Sequence, residues 1–253
     1  MSGFNKKGQV TFFVILGLIL VLLVILFLTL KGYILEDTYT SLKSSLTQLP
    51  AEFQPAKNLI EECIQNKAED AIEYAGLYGG YYTPPTLSSV ISVPYYVYNG
   101  TNKMPSKSIW EETISKYLEE ELEYCIMGQE LEGFTFGARK AKASTSISAE
   151  KVFLTIDFPV YIAKDEKTYI VRDFKEEIPV RLGAIYLFCD EFSKSEAENS
   201  QGMCLSCLTN SAEKYDLNVD MLSHENEVLF TVTDKENKIN GKEFEFRFTN
   251  SYT

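Results

Sequence analysis

Five cysteines and a single histidine are the residues of this chain best suited to do chemistry. Cys204-Leu205-Ser206-Cys207 has the two-residue spacing of dithiol redox sites and of half a zinc site. A redox motif of the thioredoxin kind follows a βαβ unit, and none precedes this one. A tetrahedral zinc site would have to recruit Cys189 and His224, the sole histidine. The pattern therefore favours a structural bridge from Cys189 to Cys204 or to Cys207. Cys63 and Cys125 each fall on the apolar face of a predicted helix, so a disulfide stapling those two helices is expected. Three cysteines then remain for one further bridge, and one of them is left odd unless a second chain supplies a partner.

Other chemistries have weaker claims. Nucleophilic catalysis of the Ser-His-Asp type would rest on His224 alone, and no serine has the glycine setting of a nucleophile elbow. Glu119-Glu120-Glu121 and Glu176-Glu177 bring carboxylates together in sequence, but neighbours on a helix point in different directions, and a solvated face is the expected reading. No phosphate-cradling loop, dinucleotide fingerprint or calcium loop occurs. Catalytic, cofactor-binding and metal-ligating residues are accordingly expected to be absent. Tyrosines 78, 81, 82, 95, 96 and 98 have the composition of a sugar-stacking platform, and equally that of a half-buried strand. Asn99-Gly100-Thr101 is a glycosylation sequon in a predicted turn.

These residues are positioned by a chain that begins with an apolar segment. Val10 to Leu30 contains no charge and nothing more polar than Thr11 and Thr29. A helix rises about 1.5 Å per residue, so this run is long enough to cross a hydrocarbon core about 30 Å thick. It outlasts a secretory h-region, and no small-residue cleavage site follows it. Lys6 and Lys7 precede it without acidic company, whereas Lys31 and Lys43 are mixed with Glu36 and Asp37, so the N-terminus is expected inside and the C-terminal portion outside. Leu35, Tyr39, Leu42, Leu46 and Leu49 continue a heptad-like stripe, an amphipathic stalk that Pro50 stops.

Lys6-Lys7-Gly8-Gln9 ahead of that segment resembles the class III signal of archaeal type IV prepilins and archaellins. The resemblance implies a membrane peptidase cutting after Gly8 to leave Gln9 as the mature N-terminus. The fifth residue from that cut is Phe13, where bacterial pilins carry glutamate, so the likeness is to the archaeal members. Further along, the Gly-Gly-Tyr end of the first Cys-containing helix, the Tyr-Tyr-x-Tyr-Asn-Gly strand and Glu-Ile-Pro-Val-Arg-Leu-Gly at 177–183 resemble uncharacterised membrane proteins of small-genome archaea. No activity is carried over from that group.

Residues 1–30 hold two of the 24 basic residues and none of the 36 acidic ones, so residues 31–253 carry a net charge of −14. That sign excludes a nucleic-acid surface, which needs a basic stripe. With 45% hydrophobic and 24% charged residues the portion after the span has the composition of a folded domain.

Pro55 opens a predicted helix whose apolar face runs from Ala56 to Ala75 and which ends at Gly76 and Gly79-Gly80. Val90 to Tyr98 reads as an edge strand, because Pro94 cannot donate to a ladder. Ser108 to Glu111 spells a capping box for a helix reaching about Ile126. Period-two alternation then predicts a hairpin from residues 140–147 and 152–158, and a strand follows over 167–174. Helices are expected over 180–193 and 203–215, and strands over 219–222, 228–233 and 244–248.

The expected fold is α+β: a single membrane helix with a stalk (1–49), a mainly helical segment with one short strand (50–137) and an antiparallel sheet layered with helices (138–253). The expected function is that of a pilin-like, single-pass membrane-anchored extracellular protein that associates through its N-terminal helix. The alternative is a solitary anchored module binding a surface glycan, an envelope protein or a host cell.

Overall fold

The computed structural model describes residues 49–89, 91–199 and 202–252. The signal residues Gly8 and Gln9, the span from Val10 to Leu30 and the stalk stripe from Leu35 to Leu46 lie outside them. Residues 52–253 form one compact unit. Among the described residues it is an α+β assembly of four α-helices and three sheets, in which all but one of the strand pairs are antiparallel.

Helix α1, Gln54–Leu77, starts with Pro55 in its first turn, where the missing N–H costs nothing. Ala56, Ile60, Ile64, Ala68, Ala71, Ile72 and Ala75 recur at helical spacing and are fully buried. A short 3-10 turn, Ala51–Phe53, precedes it. Helix α2, Lys107–Met127, buries Trp110, Ile114, Leu118, Leu122 and Ile126. Its cap is Ser106, and Ser108 lies inside the first turn, so the expected capping box does not form. Glu111 instead accepts the backbone N–H of Ile147 at 3.0 Å, a tertiary use of the carboxylate that the local motif would have consumed.

The largest sheet has the order β2-β1-β11-β10-β9, built from β1 Tyr95–Tyr98, β2 Thr101–Asn102, β9 Asn218–His224, β10 Glu227–Ile239 and β11 Lys242–Ser251. Strand β1 is not the edge that Pro94 suggested. It lies between β2 and β11, running parallel to β11, and it begins just after the proline. Pro94 lends only its carbonyl, which accepts Thr249 N–H at 3.0 Å, while the side-chain oxygen of buried Asn250 accepts Val97 N–H at 3.0 Å. The β10–β11 turn is Asn240-Gly241, both at positive φ, the pairing that a two-residue hairpin turn favours. Asn240 docks this turn on α1 through Glu69, Asp70 and Glu73.

In place of the single antiparallel sheet expected over residues 138–253, the strands between residues 135 and 178 form two smaller sheets of their own. Strands β4 Lys142–Ile147, β5 Val152–Asp157 and β8 Phe174–Ile178 form one, and β3 Thr135–Ala138, β6 Val160–Lys164 and β7 Lys167–Val171 the other. The hairpin β4–β5 matches the sequence alternation. The predicted strand over 167–174 is interrupted after β7, and Asp173 takes a left-handed φ of 49° there, so the chain leaves one sheet and enters the other. Helices α3, Leu182–Glu198, and α4, Leu205–Tyr215, follow.

An aromatic stack fills the core beneath the largest sheet. Trp110 stacks on Phe246 at 4.2 Å between centroids, Tyr96 on Phe248 at 4.7 Å and Phe248 on Phe230 at 5.0 Å, and Phe192 of α3 meets Phe230 edge-on at 5.2 Å. Gly79-Gly80 turns beside it. A Cβ on Gly80 would lie 2.2 Å from the Trp110 ring, and its φ of +78° already favours glycine. The two carbonyls of that turn accept from Tyr96 and Thr113, each at 2.9 Å.

One ion pair ties three elements. Arg181, the N-cap of α3, donates to both carboxylate oxygens of Asp234 on β10 at 3.0 and 2.9 Å, and also to the carbonyls of Tyr215 and Asp216 at the end of α4. Asp234 is fully buried. Burial pushes its carboxyl up, but hydrogen bonds from Arg181, Asn237 and the Glu236 backbone outweigh that and hold it below its ordinary value. Removing the guanidinium would strand a buried charge, so Arg181→Ala is expected to cost about 3–5 kcal/mol at pH 7. Because the folded carboxyl is depressed, the stabilisation is present above the ordinary aspartate value of about 3.9 and lost as pH falls through the lower folded value. Urea unfolding of the full-length protein in mild detergent should therefore show the gap between wild type and Arg181→Ala narrowing below about pH 4.

Candidate functional site

Cys63 of α1 and Cys125 of α2 are bonded, with their Cα atoms 6.2 Å apart. Tyr74 and Tyr117 also meet across these helices, at 5.1 Å, so the helices run antiparallel. Cys63 is buried and Cys125 half-buried. The bridge spans 62 residues of sequence. Restricting the unfolded chain over that length stabilises the fold by about 4 kcal/mol in the chain-entropy model.

The second bridge differs from the expected one. Cys204 and Cys207 are bonded to each other, and Cys189 is free. Cys189 is fully buried on the inward face of α3, next to Phe188 in sequence and one turn from Phe192. Burial, and then the neighbouring Asp190, push its thiol well up, so it stays a neutral core side chain. Three residues at the start of a helix bring the Cys204 and Cys207 Cα atoms to 5.2 Å, inside the disulfide range. So short a loop adds less than about 2 kcal/mol to stability.

Cys204 is the N-cap of α4, and its sulfur accepts the N–H of Cys207 at 3.3 Å. Its own N–H donates to Glu196 at 2.6 Å. Glu196 is buried on α3, and its other oxygen accepts the Tyr252 hydroxyl. Burial and then that bond to Glu196 push the Tyr252 phenol up, so it remains a donor. Nothing in the sequence marked Glu196, because the contact joins α3 to the last residues of the chain.

The tyrosines separate into three environments. Tyr96 is a core residue. Tyr95 lies 5.1 Å from Tyr98, and its hydroxyl donates to Glu227. On the outer side of α1 and α2, Tyr74 is the hub of a half-buried patch, with ring centroids 4.6 Å from Tyr78, 5.7 Å from Tyr82 and 5.1 Å from Tyr117. Lys116 lies 4.4 Å over Tyr82, whose hydroxyl donates to Glu120. That bond, and then burial, push the Tyr82 phenol up. Tyr74 and Tyr117 were not among the tyrosines grouped by sequence. The spacing of Tyr74 and Tyr78, one helical turn, was the available signal.

The acidic runs disperse to different partners. Glu119 accepts Ala143 N–H at 3.0 Å, Glu120 takes Tyr82, and Glu177 pairs with Lys151 at 2.9 Å. Burial, and then Glu61, raise Glu176. His224 ends the edge strand β9 and is exposed. Asn99 is exposed at a φ of 48° in the β1–β2 turn, an accessible place for a sequon. Among the described residues no group of three or more His, Cys, Asp or Glu could hold a metal ion, and no helix is long and apolar enough to cross a membrane.

No family model, curated protein or solved structure matches the chain.

The two bridges should differ in what their loss does. In urea unfolding of the full-length protein, Cys63→Ala with Cys125→Ala is expected to lose about 4 kcal/mol, and Cys204→Ala with Cys207→Ala less than about 2. Equal losses would contradict the assignment of the first bridge as the staple of the fold.

Proposed function

We propose that this chain is a pilin-like, single-pass membrane-anchored protein whose residues 52–253 form an extracellular module and whose N-terminal helix mediates assembly. The observation that carries the reading is the uncharged run Val10 to Leu30 directly behind Lys6-Lys7-Gly8-Gln9. Two disulfides in the unit that follows support an oxidising compartment, and an exposed sequon at Asn99 agrees with it. Lys6 and Lys7 keep the N-terminus on the cytoplasmic side, so the module is carried outward.

Assembly follows from the physics of the apolar run. Helices in lipid gain no hydrophobic drive from touching one another. A subunit that leaves the bilayer must bury the same surface against neighbouring copies, at about 25 cal/mol for each Å² hidden from water. The stripe from Leu35 to Leu49 extends that contact.

A second reading has one observation in its favour, the tyrosine patch of Tyr74, Tyr78, Tyr82 and Tyr117 with Lys116 and Glu120 beside it. Aromatic faces next to hydrogen-bonding groups suit a sugar, and the chain would then be a solitary anchored binding module.

The N-terminus of the protein isolated from its membrane decides between them. The pilin-like reading expects a mature chain beginning at Gln9, a longer one when Gly8→Val blocks the cut, and a detergent-resistant polymer in sheared surface material that Leu22→Asp abolishes. An intact Met1 in a protein that runs as a monomer in mild detergent would overturn it and leave the binding module.

A further inference from the structure

We propose that Cys204 and Cys207 form a thiol–disulfide exchange site, whose substrates are accessible disulfides and dithiols of other polypeptides. The inference goes beyond the anchoring role and does not depend on it.

The two bridges of the molecule are placed for different work. Cys63 is buried between two helices that its bond holds together. Cys204 and Cys207 are partly open to solvent, and between them stand exposed Ser206 and Leu205, the latter 57% exposed. An incoming peptide would thus meet an apolar side chain beside the sulfurs.

The local structure does not need the bond. Glu196, buried and anchored by Tyr252, holds the Cys204 backbone, and the helical turns of α4 fix Cys207. Arg181 binds the far end of α4. Opening the bridge therefore leaves both sulfurs in place, which a reversible exchange site requires. The helix end also defines which sulfur attacks. Cys204 is the N-cap, and its sulfur already accepts the Cys207 N–H at 3.3 Å, with Ser206 Oγ 3.5 Å away. As a thiolate it would keep these donors and the positive end of the helix, which lower a thiol's pKa and favour the nucleophilic form. Cys189, buried and neutral, takes no part.

The exchange balances without another reagent. The Cys204 thiolate attacks one sulfur of a substrate disulfide, that S–S bond breaks, and the other substrate sulfur leaves as a thiolate. The Cys207 thiolate then attacks Cys204 Sγ in the mixed disulfide. The Cys204–Cys207 bond re-forms, and the second substrate sulfur leaves. Two electrons and two protons have passed from the dithiol to the substrate, and the reverse sequence oxidises a substrate dithiol.

The test uses the full-length protein in mild detergent, equilibrated with graded ratios of reduced to oxidised dithiothreitol, trapped by alkylation and mapped by mass spectrometry. Cys204 and Cys207 should become alkylated together at ratios that leave Cys63 joined to Cys125 and the circular dichroism unchanged. With insulin as the disulfide substrate, the Cys207→Ser variant should accumulate a mixed disulfide at Cys204, and the Cys204→Ser variant should accumulate several-fold less at Cys207. If both bridges open only together with unfolding, the proposal fails. It fails equally if folded Cys207→Ser captures no insulin.

Discussion

The stack of Trp110 on Phe246 is the contact on which the rest of the molecule depends. It joins the start of α2 to the middle of the last strand, so the helices that come early in sequence and the sheet that closes late share one core. Its geometry fixes its surroundings. Gly80 must lack a side chain for the indole to fit, and beside it Tyr96 stacks on Phe248 where β1 runs parallel to β11. Residues 52–253 form one compact unit. Arg181 and Asp234 perform the polar counterpart at the opposite ends of α3 and α4, where a desolvated charge pair fixes helix ends that apolar packing alone would leave free to slide.

Elements whose pattern is local were legible in the sequence. Pro55, the alanine-rich stripe and the closing glycines mark α1 because each acts within a turn or two of itself. The alternation over 140–147 and 152–158 marks a hairpin for the same reason. What sequence reasoning missed is decided at a distance. Glu111 could cap its helix, yet it serves the backbone of Ile147 on β4. Pro94 disfavours a central strand, yet β1 becomes central by starting one residue later and borrowing the Asn250 side chain. Asp173 splits one apparent strand between two sheets through a backbone conformation that its residue type only permits.

The candidate sites follow the same division. Cys63 and Cys125 lie on faces that helical periodicity defines, so their pairing could be read. The partner of Cys204 could not, because it depended on Cys189 being turned into the core by the packing of Phe188 and Phe192. Once Cys189 is buried, the two cysteines of the motif are left to each other at the helix start. The acidic surface has a complementary role. Of the clustered carboxylates, Glu119, Glu120 and Glu177 each hold a different backbone or side-chain donor, and the net charge of −14 over residues 31–253 opposes association through exposed faces.

The proposed placement of residues 52–253 outside a membrane is the central claim, and the exposed lysines Lys140, Lys142 and Lys235 report on it. Intact cells treated with a membrane-impermeant amine-acylating reagent should yield protein modified at all three to the same extent as cells opened before treatment. Modification only after the cells are opened would place residues 52–253 on the inner side and contradict it.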